Sequence, residues 1–538
     1  MTGFYLRTES IQYSDILDLS VINSSDISIL NSLKSQEPCL LEGSRGTGKS
    51  FLLRLAELEI EADESQKSIA VFVSFNISSL INTNDPLQFY HWMLAKTLKA
   101  LLNKLRKKGY IVSKHSANLL SNDEFEDEGN VELDLRKIIT QFESSYKGKN
   151  EVNSASLPDI EDVKDAIEII CEENSLEKIF FFFDEAAHVF RPEQQRQFFS
   201  LFKDLRSPYV VCNAAIYPGV TYFGDSFEVT HDCTYRKLER SIKDSDYLQY
   251  FKDIVFKQAD EKTKKEIETN RALFNTLAFA SGGNPRILLK TIQDIDRFNT
   301  SNVDKLIKTF YRGQIWSEHT ELGEKYKGHK ELIDWGRDFL ENIVIPRIEN
   351  YNQSRKDKGA EESSIYFWVH KDCPAVVKES LRLLTYTGII RKIDSSMRAT
   401  RKELGARYEV KYGCVIALER SPHAESADFF NNLSIKKFPE FGKSLKEYDK
   451  IKQLEINDQD DSQYKESLRH MLEKPIDVLG LLTDWQKRKL KSAGINTLEE
   501  LHSNTEESLI ENIYQVGPAR ARIMKNASNA ELLEYLSG

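Results

Sequence analysis

The chain has few cysteines and no two of them in C-x-x-C spacing. Its six, at 39, 171, 212, 233, 373 and 414, are scattered. That excludes a zinc module and a disulfide framework, and leaves buried thiols in a reducing compartment as the expectation. No apolar run approaches a membrane span, and the opening residues MTGFYLRTES hold no apolar signal region. A soluble, cytoplasmic chain with no membrane partner is expected. An excess of positive charge is missing too. Lys and Arg total 74 against 84 Asp and Glu, for a formal net charge of −10. A protein coated in nucleic acid is therefore excluded, and any such contact must be local. No nuclease, protease or other effector constellation is visible, so damage to a cell or a phage would need a separate effector protein. What remains is ordinary: 40% apolar residues over 538 positions, enough for the cores of three or four domains.

Against this background the segment GSRGTGKS stands out. Gly43, Ser44, Arg45, Gly46, Thr47, Gly48, Lys49 and Ser50 fit G-x-x-x-x-G-K-[ST]. The short apolar run Cys39-Leu40-Leu41 precedes them, and the helical pattern Phe51 to Ala56 follows. Glycines let backbone N–H groups curl around phosphate oxygens, and a helix N-terminus adds positive potential there. The pattern assigns Lys49 to the β- and γ-phosphates of ATP and Ser50 to Mg2+.

Such a site needs a second, acidic strand. Lys178 to Glu185 reads KIFFFFDE, a continuous apolar run of the kind buried on both faces of a parallel sheet. Asp184 at its end is expected to hold Mg2+, and Glu185 to polarise the attacking water. The string Asp184-Glu185-Ala186-Ala187-His188 misses the DEAH helicase spacing by one residue, and no second recombination-type core follows. Ile69 to Phe75 and Tyr209 to Ile216 supply two more strands for a doubly wound α/β sheet. After the last of these, Asn213 or Tyr217 is a candidate to meet the γ-phosphate; the sequence does not choose. Further on, Ala280 to Leu289 reads as helix, turn and new helix with Pro285 in its first turn. Arg286 would project from that helix start, from a lid, toward the terminal phosphates.

In this order GSRGTGKS, FFFFDE and SGGNPR resemble the AAA+ ATPases of the origin-recognition and initiator type, over roughly residues 1–300. The blocks DEAAHVFRPEQQRQFF and FKDLRSPYVVCNAAIYPGVT look like stand-alone bacterial members of that group. The resemblance implies an ATP site between a P-loop NTPase sheet and a helical lid, with Arg286 in the sensor-2 motif. It also implies homo-oligomers in which a neighbour's arginine completes the site; Arg206, Arg236 and Arg240 are candidates. It further suggests roles in phage defence, in handling mobile DNA or in replication initiation.

Expected boundaries follow. Residues 1–235 form the nucleotide-binding domain, with an insertion at about 85–165. That insertion contains the amphipathic helix Leu87 to Lys108 and the acidic stretch Asn122 to Glu128, a partner or regulatory contact or else a passive loop. Residues 236–335 form the lid and 336–420 a winged helix. Within the latter, Pro374 to Thr385 is a helix, and Ile389–Ile393 with Arg407–Tyr412 a hairpin. The hairpin tip carries Arg398, Arg401 and Lys402, suited to a phosphate backbone unless the unit only packs on a neighbour. Residues 421–475 read as a linker containing the acidic run Asp458 to Asp461. Residues 476–538 look like a tandem helix–hairpin–helix similar to the C-terminal domain of bacterial RNA polymerase alpha subunits. There Thr497 and Glu500 form a capping box, and Gly517 and Arg520 are the candidate DNA contacts. Gln515 stands where a first glycine is common, and acids match bases, so protein is the other candidate ligand.

Overall fold

The computed structural model describes residues 3–537 apart from 64, 76–80, 82, 84, 86, 122–127, 146–151, 153, 188–191, 220–222, 224–226, 327–328, 401, 452–471 and 480–481. Arg401, His188, the acidic run Asp458 to Asp461 and all of the acidic stretch 122–128 except Glu128 lie outside the described residues.

Five strands form a parallel sheet: β1 (Cys39–Glu42), β2 (Ser68–Ser74), β3 (Lys178–Asp184), β4 (Val210–Ile216) and β5 (Thr234–Lys237), in the order β2-β3-β4-β1-β5. The run FFFF explains the position of β3. Alternate residues of a strand face opposite sides of its sheet. Phe180 and Phe182 therefore join one core with Leu52, Leu53 and Ala56 of the helix Lys49–Ala62. Phe181 and Phe183 join another, with Phe198 and Phe202 of the helix Pro192–Asp204. All four phenylalanines are buried, and each such ring in a core is worth about 3–5 kcal/mol against alanine.

The helix Gln88–Lys108 is integral to this second core and not an appended contact. Phe89, Trp92, Leu98, Leu101 and Leu105 are buried in it. Its basic end is paired internally, Lys108 with Glu61 at 2.7 Å and Arg106 with Glu132 at 2.6 Å. Gly109 ends it with φ +73°, a left-handed cap that favours glycine.

Two expected boundaries move. β5 crosses 235/236 and pairs with β1 from Thr234 to Lys237, so the sheet ends at Lys237. Residues 421–451 are folded, not a linker. Within them Pro422–Asn431 is helical, β9 (Glu440–Phe441) pairs with β6 (Tyr366–His370), and Tyr448 and Ile451 are buried. The second sheet runs β7-β8-β6-β9, with β7 at Ile390–Arg398 and β8 at Leu404–Val410. The helix Ala375–Tyr386 lies where the apolar spacing of Val376, Val377, Leu381 and Leu384 places it. One continuous apolar core joins this sheet to the helices that follow β5, from Tyr217 to Ile451.

A separate small core gathers Leu472 to Ala527. Two of its helices begin at capping boxes, Thr483 with Gln486 and Thr497 with Glu500. Among the described residues no helix is long and apolar enough to cross a membrane.

Candidate nucleotide site

The loop Gly43–Gly48 leaves the carboxyl end of β1 and enters the helix Lys49–Ala62. Crevices outside the carboxyl ends of parallel strands are the usual ligand sites of such sheets. Gly46 and Gly48 have φ of +82° and +101°, which glycine alone adopts without strain. A Cβ on Gly43 would stand 2.7 Å from Thr47 Oγ1, and one on Gly46 2.8 Å from Asn284 Oδ1. Lys49 is buried. Its ammonium donates to the Gly43 carbonyl at 2.6 Å and lies 4.1 Å from the centre of the Tyr217 ring.

Strand order decides what faces this loop. β4 lies between β1 and β3, so the residue leaving β4 stands between the loop and the acids that end β3. That residue is Tyr217. Its hydroxyl donates to Glu185 at 2.8 Å. Asn213, the alternative, is corrected by register. It pairs with Cys39 at the start of β1, three residues or about 10 Å below the strand end. Its amide donates to Leu33 O at 2.9 Å, so it is a core residue and not a nucleotide contact.

Asp184 is buried and accepts from the Glu185 backbone N–H at 3.0 Å and from the Ser50 side chain. Burial and then Glu185 push its carboxyl up to about 6, against the pull of Ser50 and Lys49. Glu185 takes φ +55°, a left-handed conformation that a non-glycine residue adopts at a cost. Burial pushes the Lys49 ammonium down to about 8; Glu185 and Asp184 oppose this, while Arg286 and Arg45 add to it.

The start of the helix Pro285–Gln293 meets the loop directly. Asn284 caps the helix Pro285–Gln293 by accepting from the Ile287 N–H, and its amide donates to Arg45 O at 2.7 Å. The Arg286 backbone N–H donates to Gly46 O at 3.4 Å, and its Nε to Leu6 O at 2.8 Å. Burial and then the guanidinium of Arg45 lower the Arg286 pKa.

Arg240 is corrected as a candidate for completing a neighbour's site. It is buried within its own chain, donating to Thr47 O at 2.8 Å and to Asp26 at 2.7 Å. Removing either partner of such a buried pair costs about 3–5 kcal/mol. Arg236 is half-buried and donates to Ser32 Oγ at 2.9 Å. Arg206 is exposed, 3.6 Å from Glu37.

Sequence reasoning missed one whole side of the site. The second sheet's helix Ala375–Tyr386 and the turn after it press on the loop. Tyr386 lies 5.2 Å from Tyr217, edge to face. A Cβ on Gly388 would come within 3.0 Å of Ser44 Oγ. Arg382 donates to Gly219 O at 2.9 Å, and Lys411 to Ser281 O at 3.1 Å. Burial alone would lower the Arg45 pKa, but Tyr386, Tyr217, Glu185 and Tyr326 around it raise it on balance. No local pattern signals these contacts.

The other predicted contacts lie elsewhere. Arg398 ends β7 and Lys402 sits in the turn with φ +61°. Thr400 at that tip donates to Glu440 at 2.6 Å. Gly517 precedes the helix Pro518–Ser537; Arg520 donates to Gln515 O at 2.7 Å, and Gln515 takes φ +70°.

The residues present suit ATP with Mg2+. Ser50 and Asp184 are already in hydrogen-bond contact, so one ion can meet both oxygens. Among the described residues no cluster of three or more His, Cys, Asp or Glu could hold a metal; Mg2+ bound through one carboxylate, a hydroxyl, waters and phosphates needs none. The two shifted groups make a proton prediction. Phosphates favour the Lys49 ammonium, so ATP binding above its value of about 8 should take up a proton. A cation favours the Asp184 carboxylate, so Mg–ATP binding below its value of about 6 should release one. Calorimetric titration in buffers of different ionisation enthalpy should show this reversal of sign.

Comparison with known proteins returns no matching family model and no matching curated protein. Among solved structures, the Aeropyrum pernix Orc1 protein in complex with DNA aligns at 11% identity, covering 77% of this chain and 98% of its own, with a TM-score of 0.28. Cdc6p from Pyrobaculum aerophilum aligns at 12% identity over 80% and 97%, also at 0.28. Superposition at that level adds nothing to the geometry of the site, on which the functional reading rests.

Proposed function

We propose that this chain is an ATP-binding and slowly hydrolysing molecular switch that self-assembles and binds nucleic acid. One observation carries the ATP reading. Three cations, Lys49, Arg45 and Arg286, converge on one loop: burial lowers the Lys49 pKa against Glu185 and Asp184, with Arg286 and Arg45 adding to the fall, and burial and then Arg45 lower that of Arg286. Mutual repulsion of that kind is relieved by a polyanion, and backbone N–H groups of a glycine-rich loop select phosphate.

Within this reading Gly43 to Ser50 hold the phosphates. Lys49 leaves the Gly43 carbonyl for phosphate oxygens, and Ser50 and Asp184 hold the ion. When bound there, the ion would supply charge neutralisation at the phosphates. Glu185, held by the Tyr217 hydroxyl, orients and deprotonates the attacking water, and Arg286 reports from the lid. Arg206 or Arg236 of a second copy would complete the site in an oligomer. Sheet, lid and the 366–410 unit, read here as a winged helix, meet at the loop, so nucleotide state is passed to the hairpin tip with Arg398, Arg401 and Lys402, and a replicating, mobile or invading DNA is what the assembly would grip.

The second reading is a signalling scaffold whose C-terminal units bind protein. One observation favours it. The helix Ala375–Tyr386, the element a winged helix commonly lays in a groove, is packed through Arg382 and Tyr386 against Gly219 and Tyr217, the segment that follows β4. Salt-dependent DNA binding separates the two. The switch reading expects affinity at low salt that changes with ATP and weakens when residues 476–538 are deleted or when Arg398, Arg401 and Lys402 are reversed in charge. No DNA affinity under any of these conditions overturns it in favour of the scaffold.

A further inference from the structure

In the C-terminal helical unit four side chains form a ladder at the edge of the small core, against which Trp485 packs. The Arg520 guanidinium lies over the Trp485 ring at 4.7 Å from its centre. The Lys489 ammonium is 5.5 Å from the same ring and 5.2 Å from the ring of Tyr514. Tyr514 is 81% exposed, the most exposed large apolar side chain among the described residues. Its position is fixed all the same. Ile513 before it and Val516 after it are buried in the core, and Gln515 between them is held left-handed at φ +70° with its carbonyl bonded to Arg520 at 2.7 Å. The chain thus presents one aromatic face to solvent on a pinned turn, edged by cations.

We propose that this ladder is a docking face for single-stranded nucleic acid, with an unpaired base stacking on Tyr514 and the backbone phosphates following Lys489 and Arg520. The proposal rests on the nucleic-acid reading above and narrows it to one ligand class. The chemistry favours unpaired strands over duplex for two reasons. An exposed ring offers a π face, which an unpaired base can cover and a stacked pair cannot. Arg520 lies over the Trp485 ring and is tied to Gln515 O, which occupies it in a cation–π contact and leaves it less free for a bidentate groove contact. A run of cations beside aromatic rings is also complementary to phosphate on a chain whose overall charge is negative.

The test uses the full chain with a labelled oligothymidylate and a labelled duplex at low salt, read by fluorescence anisotropy, with Trp485 quenching as a second signal. Wild type should bind the single strand more tightly than the duplex. Tyr514→Ala should weaken single-strand binding by roughly 10-fold or more, the loss of one stacked base, while Tyr514→Phe retains it and duplex binding stays unchanged. Because Tyr514 is exposed, neither variant should alter folding, which circular dichroism checks. Wild-type preference for duplex, or single-strand binding indifferent to Tyr514→Ala, overturns the ladder's role while leaving the nucleic-acid reading standing. Absence of binding to either probe overturns both.

Discussion

Lys49→Ala is expected to abolish ATP binding without unfolding the protein. The side chain would make charge-assisted bonds to phosphate oxygens, each worth about 1.5–3 kcal/mol. Losing two of them lowers affinity by roughly 10²- to 10⁴-fold. The effect on the free protein is expected to be small. Burial already disfavours the Lys49 ammonium, whose value falls to about 8, so its removal offsets the loss of its bond to Gly43 O. The measurement is a thermal-shift titration. A ligand present at a hundred times its dissociation constant stabilises by about 2.7 kcal/mol, and that shift should vanish in the variant while the ligand-free midpoint stays close to wild type. A retained nucleotide shift would remove Lys49 from its assigned place.

Glu185→Gln is expected to do the opposite: bind ATP normally and turn it over slowly. Glutamine has the shape to keep the left-handed turn at φ +55°. Its amide oxygen can still accept from the Tyr217 hydroxyl, now 2.8 Å from the carboxylate. What it loses is the ability to take a proton from water. General-base contributions run to roughly 10²–10⁴ in rate, so single-turnover phosphate release should slow by about that factor at unchanged affinity. Any ATP-dependent oligomer should then outlast the wild-type one in a dilution experiment. Hydrolysis at the normal rate would place the base elsewhere. Tyr217→Phe sets the scale between them: it leaves the base but removes its positioning bond, so a smaller loss with an altered pH profile is expected.

The parts of this site that were legible in sequence are those written in adjacent residues. GSRGTGKS carries its own backbone geometry, since Gly46 and Gly48 stand where φ is positive. FFFFDE announces both the buried strand and the acids at its end. SGGNPR announces a helix start, because Pro285 and the Asn284 cap are local devices. What failed needed information from across the fold. Choosing Tyr217 over Asn213 depends on strand register against β1, which a one-strand pattern does not contain. Arg240 looked available because its partners Asp26 and Thr47 O are far away in the chain. Chain length alone suggests that the helix Gln88–Lys108 belongs to an insertion, whereas Phe89, Trp92, Leu98, Leu101 and Leu105, spread around it, are buried in the core of the sheet. The approach of Gly388 to Ser44, and of Tyr386 and Arg382 to Tyr217 and Gly219, leaves no local trace at all.

The continuous core from Tyr217 to Ile451 has a mechanical consequence. Packed interiors transmit displacement and do not absorb it. With no seam between the lid and the second sheet, a rotation begun where Arg286 and Asn284 touch the phosphate loop cannot be spent inside this body. On the proposed switch reading it would reappear at the far end of the β7–β8 hairpin, as a lever's short throw becomes a longer one, and a change of one phosphate would be converted there into travel of the tip.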